Sequence, residues 1–315
     1  MAYPPSIGAL KVYGENGQEL DPTSTRHRIV EAFVHLALCL LETEEGQNSL
    51  AEVATTIIKE REGTSGTRSW RPRHIYRDSL ANMPYWIRVF LRTAGHLEVS
   101  QAIISNMTYV RQHPEDAADA YDLFKFQMAI TVAHEIVHML TGFITGTSLP
   151  DTPPNVNVKP YIKKYGKGVQ GEAGRYWESI ILGGFVEFWS VPNHPLGMQQ
   201  AGEPYLFLPG EKETAQGREV SRTYIKIFLR EDFTSPIRPS SQSIKITRKC
   251  LEKEQKRKET SYLRSSAASR QAEGANSPPA AHPSAELTAR FRRINLDADY
   301  GYAQLEGPSR GYFYR

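Results

Sequence analysis

A chain of 315 residues can bury one sizeable core with at most a small accessory region. Its 38 basic and 35 acidic side chains leave a formal charge of +3, a balance that gives no argument for a nucleic-acid partner. The only two cysteines, Cys39 and Cys250, exclude a disulfide framework and a cysteine zinc site.

The opening Met1-Ala2-Tyr3-Pro4-Pro5 lacks the basic and then apolar regions of a secretory leader. No apolar run reaches the roughly 20 residues that a membrane span needs. The expectation is an intracellular, cytoplasmic protein, with the nucleus also open to it. Residues 1–23 read as extended and turn-rich. Ser24–Glu45 is expected as an amphipathic helix, because Ile29, Phe33, Leu36 and Leu40 recur at helical spacing. Leu50–Glu62 is expected as a second helix, and Gly63–Pro72 as an exposed linker. Met83–Arg92 fits a short apolar helix or strand. Ala102–Val110, with Ile103, Ile104, Met107 and Tyr109, has the composition of a strand.

The next segment carries the chemistry. From Ala117 to Phe143 the chain is free of Pro and, apart from Gly142, of Gly, and its apolar residues repeat at helical spacing. Asp116 and Asp119 offer N-terminal capping, and Gly142 and Gly146 offer stops. Inside this run stands His134-Glu135-Ile136-Val137-His138, an H-E-x-x-H pattern. Residues four apart share a helix face, so both imidazoles can meet one ion. Glu135 lies about 100° round the helix, where it can reach a water held by the metal. Zinc lowers the pKa of such a water to roughly 7, and a carboxylate that takes its proton makes a nucleophile.

A catalytic zinc ordinarily has three protein ligands. The extended pattern H-E-x-x-H-x-x-G-x-x-H fails here, because Thr141 and Ile144 occupy its Gly and last His. Two glutamates follow, in Gly171-Glu172-Ala173-Gly174-Arg175-Tyr176-Trp177-Glu178-Ser179-Ile180-Ile181-Leu182-Gly183-Gly184, a second helix opened by Gly171. Six residues on a helix make roughly 600° of rotation, so Glu172 and Glu178 point to separate faces. Glu172 shares its face with Tyr176, Ser179 and Gly183, a small and polar strip. Glu178 shares an apolar face with Leu182, Phe185 and Trp189, and Arg175 precedes it by three. Glu172 is the favoured ligand, with Glu178 orienting a histidine from behind. Glu178 as ligand stays open, and His194, in a proline-flanked loop, is the remaining candidate.

These elements resemble the zincin superfamily of zinc metallopeptidases in its glutamate-third-ligand branch. Glu172-Ala173-Gly174-Arg175-Tyr176-Trp177 is similar to the Glu-Ala-Asn-x-Phe-Ala element of intracellular bacterial peptidases that cleave repressors, with Gly174 in place of the Asn. The leading Glu of that element helps hold the metal, which maps onto Glu172. The chain also resembles intracellular H-E-x-x-H proteins of filamentous fungi, in which Gly-Glu-(Ala/Ser)-Gly follows the histidines. The resemblance covers about residues 100–190. It implies Zn2+ as cofactor and hydrolysis as activity. It also implies that a strand at Ala102–Val110 would pair with an extended substrate along the cleft; on its own composition that segment is a core strand.

Downstream, Gly146–Gly171 is a Pro- and Lys-rich loop long enough to be a lid. Tyr161, Tyr165 or Tyr176 could donate to a developing oxyanion, although each is also an ordinary packing residue. Tyr205–Leu208 is expected as a short strand, and Val220–Arg230 as a strand or helix. Beyond residue 239, Lys245 to Lys258 reads as a solvated basic helix running into a Ser-, Ala- and Pro-rich tail. A nuclear-import or nucleic-acid patch is the other use of such a stretch. The expected architecture is α+β and zincin-like, mainly helical with a small mixed sheet beside the metal-binding helix. It comprises a catalytic domain at 1–238 and a tail at 239–315. The expected partner is a peptide, or alternatively a small molecule such as a fungal metabolite precursor. Neither a membrane nor a nucleic acid is expected, and nothing in the sequence sets the oligomeric state.

Overall fold

The computed structural model describes residues 10–14, 17–63, 82–92, 97, 99–115, 118–145, 152–158, 171–189, 199–208, 216–239, 246–247, 250 and 253. Helix α1, Thr25–Glu42, begins where the Ser24 hydroxyl accepts from the His27 amide at 3.2 Å. Its buried stripe includes Ile29, Phe33, Leu36 and Leu40. At Thr43 the chain turns: the hydroxyl donates to the Leu40 carbonyl and accepts from the Gly46 amide. Helix α2, Glu44–Gly63, therefore starts six residues before the apolar stripe beginning at Leu50, with Glu44 and Glu45 in its first turn, where acids favour a helix.

Met83–Leu91 is helix α3, opened by Pro84, which settles the choice between helix and strand there. The strand expected at Ala102–Val110 is instead helix α4, Gln101–Gln112. Its buried residues are Ala102, Ile103, Ile104, Asn106, Met107 and Val110. That spacing marks one side of a helix, and the buried neighbours Ile103 and Ile104 break the alternation a half-buried strand needs. The β-branched composition misled, and no strand edge lies at this place to pair with a substrate.

Helix α5, Ala120–Thr145, carries the two histidines. Most of its residues are buried, so it forms the central rod of the core. Gly142 does not end it; the helix runs through this buried glycine to Thr145. Helix α6, Ala173–Ile181, packs on α5 and leads directly into the sheet. Trp177 of α6 is fully buried, and its indole N–H donates to Ser49 of α2 at 2.9 Å.

The sheet is antiparallel rather than mixed. Its strands run in the order β1 (Phe185–Trp189), β2 (Glu203–Phe207), β3 (Gln216–Glu219) and β4 (Ile246–Thr247). Phe185 stands opposite Phe207, and Tyr205 opposite Glu219. Each strand returns beside the one before it, so no parallel neighbour arises. The pairing of β4 with β3 brings two residues from beyond position 238 into the sheet. Between β3 and β4 lies helix α7, Arg222–Phe228, which resolves Val220–Arg230 as helical. Phe126 of α5 meets Phe188 of β1, and Tyr224 and Phe228 of α7, with ring centroids 5.0–6.4 Å apart. This joint fixes sheet and α7 to the central helix.

The protein is thus mainly helical with a small antiparallel sheet, an α+β arrangement. Among the described residues no helix is long and apolar enough to cross a membrane. The linker at 64–72, residues 159–170 of the loop and the tail from 254 lie outside the described residues.

Candidate metal centre

The open face of the central helix is short. Around Thr131, His134, Glu135, His138 and Met139 the burial of α5 relaxes, and Glu135 is exposed. His134 and His138, one turn apart, bring their Nε2 atoms to 3.3 Å from each other. Oε1 of Glu172 stands 2.5 Å from Nε2 of His138 and 3.2 Å from Nε2 of His134. All three side chains therefore present a ligand atom to one small volume.

Glu172 reaches this place because it is the N-cap of α6. Its backbone is extended (φ −133°, ψ 92°), and its Oε2 accepts from the Arg175 amide. One oxygen caps the helix while the other faces the histidines. The dipole-complementing role and the ligand role are thus carried by different atoms of one carboxylate. The segment 152–158 fixes the approach. Thr152 O accepts from the Gly171 amide and Val156 O from the Glu172 amide, each at 2.8 Å. A Cβ on Gly171 would run into the Pro153 carbonyl oxygen, so only glycine lets the chain pass so close.

Glu178 is elsewhere. Its Oε1 lies 2.7 Å from Nδ1 of His134, on the side of the ring away from Glu172. Its Oε2 accepts from the Val186 amide and from Arg175 Nη1, both at 3.0 Å. At 2 % exposure it is sealed from solvent and takes no part in the three-atom cluster. The separate faces expected for the two glutamates are observed, but both meet one imidazole, at its two nitrogens. A carboxylate at Nδ1 holds the proton there and leaves the Nε2 lone pair for a cation.

Gly174 explains the departure from the Asn of the resembling element. A Cβ at this position would lie 2.5 Å from Cδ2, Cε1 and Nε2 of the His134 ring. The ring of His134 is laid flat on the backbone of α6, and any side chain there would displace it.

The electrostatics agree with a site built for positive charge. Burial opposes charge on His134, yet the carboxylate of Glu172, with Glu178 behind the ring, carries its pKa up to about 10. Burial likewise opposes ionisation of Glu172, but the two imidazoles hold its carboxyl well below the ordinary range. Burial works against Glu178 too, and the Arg175 guanidinium, the His134 ring and the Val186 amide keep it ionised.

These residues fit a metal. Glu172 Oε1 is buried and has no hydrogen-bond partner, although two ring nitrogens converge on it. Ring nitrogens and a carboxylate oxygen brought together in this way can hold a cation between them. Two imidazoles and one carboxylate are donors that a divalent transition metal accepts. Calcium and magnesium, which prefer all-oxygen shells, fit less well.

The Glu135 side chain is exposed and makes no hydrogen bond or ion pair with another described residue. Tyr176 places its hydroxyl 3.5 Å from the Thr56 hydroxyl of α2. Tyr161, Tyr165 and His194 lie outside the described residues. The chain matches no protein-family model, no curated protein and no solved structure.

Two outcomes follow from this geometry. Alanine is ordinarily the better helix former by about 1 kcal/mol, yet Gly174→Ala should weaken the affinity of this cluster for a divalent metal by roughly tenfold or more, because it pushes the His134 ring. Equilibrium zinc titration, with circular dichroism to follow the fold, checks this. The raised pKa of His134 also sets a pH dependence. The ion pair supports the metal-free fold fully below His134's ordinary value of 6.5 and loses that contribution as pH rises to about 10. Metal binding runs the opposite way, releasing the His134 proton at any pH below about 10 and none above it. Calorimetry in buffers of different ionisation heat measures the proton count.

Proposed function

We propose that the protein is a zinc-dependent hydrolase of the metallopeptidase type, cleaving an amide bond. The observation that carries the reading is the convergence of His134 Nε2, His138 Nε2 and the orphaned Glu172 Oε1 beside an exposed Glu135. His134, His138 and Glu172 hold the metal. Bound there, zinc would lower the pKa of a water to roughly 7 and would polarise a carbonyl.

The protein's own groups do the rest. Glu135, on the same helix but about 100° from His134, takes the proton of the attacking water at its carboxylate. It later passes that proton to the departing amine, which would otherwise leave as an unstable anion. Glu178 holds the His134 ring by its Nδ1 proton, and Arg175 and the Val186 amide hold Glu178. This chain of contacts keeps Nε2 aimed without needing solvent.

One observation favours the second reading, a compact small-molecule amide or ester in place of a peptide. An extended peptide commonly pairs with a sheet edge, and the segment expected to supply one is helix α4. The backbone of edge strand β1 at Val186 is also engaged: its amide donates to Glu178 and its carbonyl accepts from Arg175. The hydrolytic chemistry is the same for either substrate.

Zinc-loaded protein assayed against a quenched peptide library and a panel of small amides and esters decides between the readings. Glu135→Gln is expected to keep zinc while turnover falls by roughly 10²–10⁴, and His134→Ala to lose the metal. Hydrolysis at the wild-type rate by the Glu135→Gln protein would contradict the role given to Glu135.

A further inference from the structure

A second set of metal-ligating atoms converges on α1 and shares no residue with the centre above. His35 and Cys39 stand one helical turn apart, as His134 and His138 do. Cys39 Sγ lies 3.4 Å from His35 Nε2, and Oε1 of Glu231 lies 3.0 Å from the same nitrogen. The ligand atoms of all three lie within 4.8 Å of one another.

Glu231 arrives from the far end of the fold, 196 residues away in sequence. It occupies the turn that ends α7, where the Glu231 amide donates to Phe228 O and the Asp232 amide to Ile227 O. Its φ is +64°, in the left-handed region where this helix-ending turn ordinarily takes glycine. Among the described residues it is the one non-glycine residue in that region. The backbone there carries a glutamate at some conformational cost, and its carboxylate is delivered onto His35.

An ion pair between His35 and Glu231 accounts for two of the three side chains. The Cys39 sulfur, one turn on, meets the same ring nitrogen, so three ligand atoms converge where an ion pair uses two. Thiolate, imidazole and carboxylate together suit a borderline divalent ion such as zinc or cobalt and not calcium or magnesium. The cysteine count argues against a zinc site built of cysteines alone. It does not argue against a single cysteine joined by His and Glu.

We propose that His35, Cys39 and Glu231 form a second divalent transition-metal site, which takes zinc through one imidazole, one thiolate and one carboxylate. Binding releases the Cys39 proton to solvent and forms the sulfur–metal bond. Its effect is to staple the middle of α1 to the turn after α7. Those two elements pack on α5 from different points in the chain, so the staple holds the fold around the central helix.

Cobalt(II) titration of the full-length chain tests this, because a thiolate ligand gives a near-ultraviolet charge-transfer band that imidazole and carboxylate ligands do not. The His134–His138–Glu172 centre contains no sulfur, and the only other cysteine is Cys250, which is exposed. The band is expected in the wild type and in Cys250→Ser, displaced by zinc, and absent in Cys39→Ser. Glu231→Gly removes the carboxylate while giving the backbone the residue it favours, so the fold is kept. Cobalt affinity read at that band should nevertheless fall about tenfold or more there. Absence of the band in the wild type, its survival in Cys39→Ser, or wild-type affinity in Glu231→Gly would each overturn the proposal.

Discussion

The imidazole of His134 is the piece on which the arrangement turns. It is gripped at Nδ1 by Glu178, faced at Nε2 by Glu172 and His138, and laid on the backbone of α6 at Gly174. Three constraints on one ring fix how α6 lies on α5. They also determine where the N-cap carboxylate of α6 falls, which is against both histidines. A helix–helix contact and a ligand set are thus the same feature seen at two scales.

The cost of this arrangement is buried charge. A carboxylate at 2 % exposure is unfavourable unless its oxygens are satisfied, and Glu178 is satisfied three times over, by Arg175, Val186 and His134. Glu172 is different: one oxygen caps the helix and the other is left without a hydrogen bond. One carboxylate is completed by hydrogen bonds from three sides, while the free oxygen of its neighbour meets only two imidazoles, a group of atoms that could hold a cation. The hydrophobic rod of α5 and the Phe126 joint supply the rigidity behind it.

Much of this was legible in the residues. The spacing of His134 and His138 in an unbroken apolar period put both rings on one helix face. The six-residue interval between Glu172 and Glu178 assigned them to different sides. Other features needed three dimensions. Nothing in the sequence says that Glu172 would be an N-cap with its two oxygens divided between helix and site, nor that Gly174 would lie under a histidine ring. Ala102–Val110 has a strand's composition because Ile and Tyr favour strands locally, whereas packing on α5 selects the helix in which Ile103, Met107 and Val110 line up. The sheet was expected to be mixed because strand direction depends on connections that composition does not encode. His35 and Cys39 have the helical spacing of a ligand pair, but their partner Glu231 is too distant in sequence for any local pattern to join them.

The central claim is that His134, His138 and Glu172 bind a metal, with Glu178 behind them. The most direct measurement is metal content by elemental mass spectrometry on protein purified without chelators or a His-tag. It should be made in a Cys39→Ser background, so that α1 contributes nothing, with Glu172→Ala and Glu178→Ala in parallel. The account predicts about one zinc per chain in the parent, lost in Glu172→Ala and retained, more weakly held, in Glu178→Ala. A parent that binds no zinc even when it is supplied, or zinc lost in Glu178→Ala but undiminished in Glu172→Ala, would contradict it.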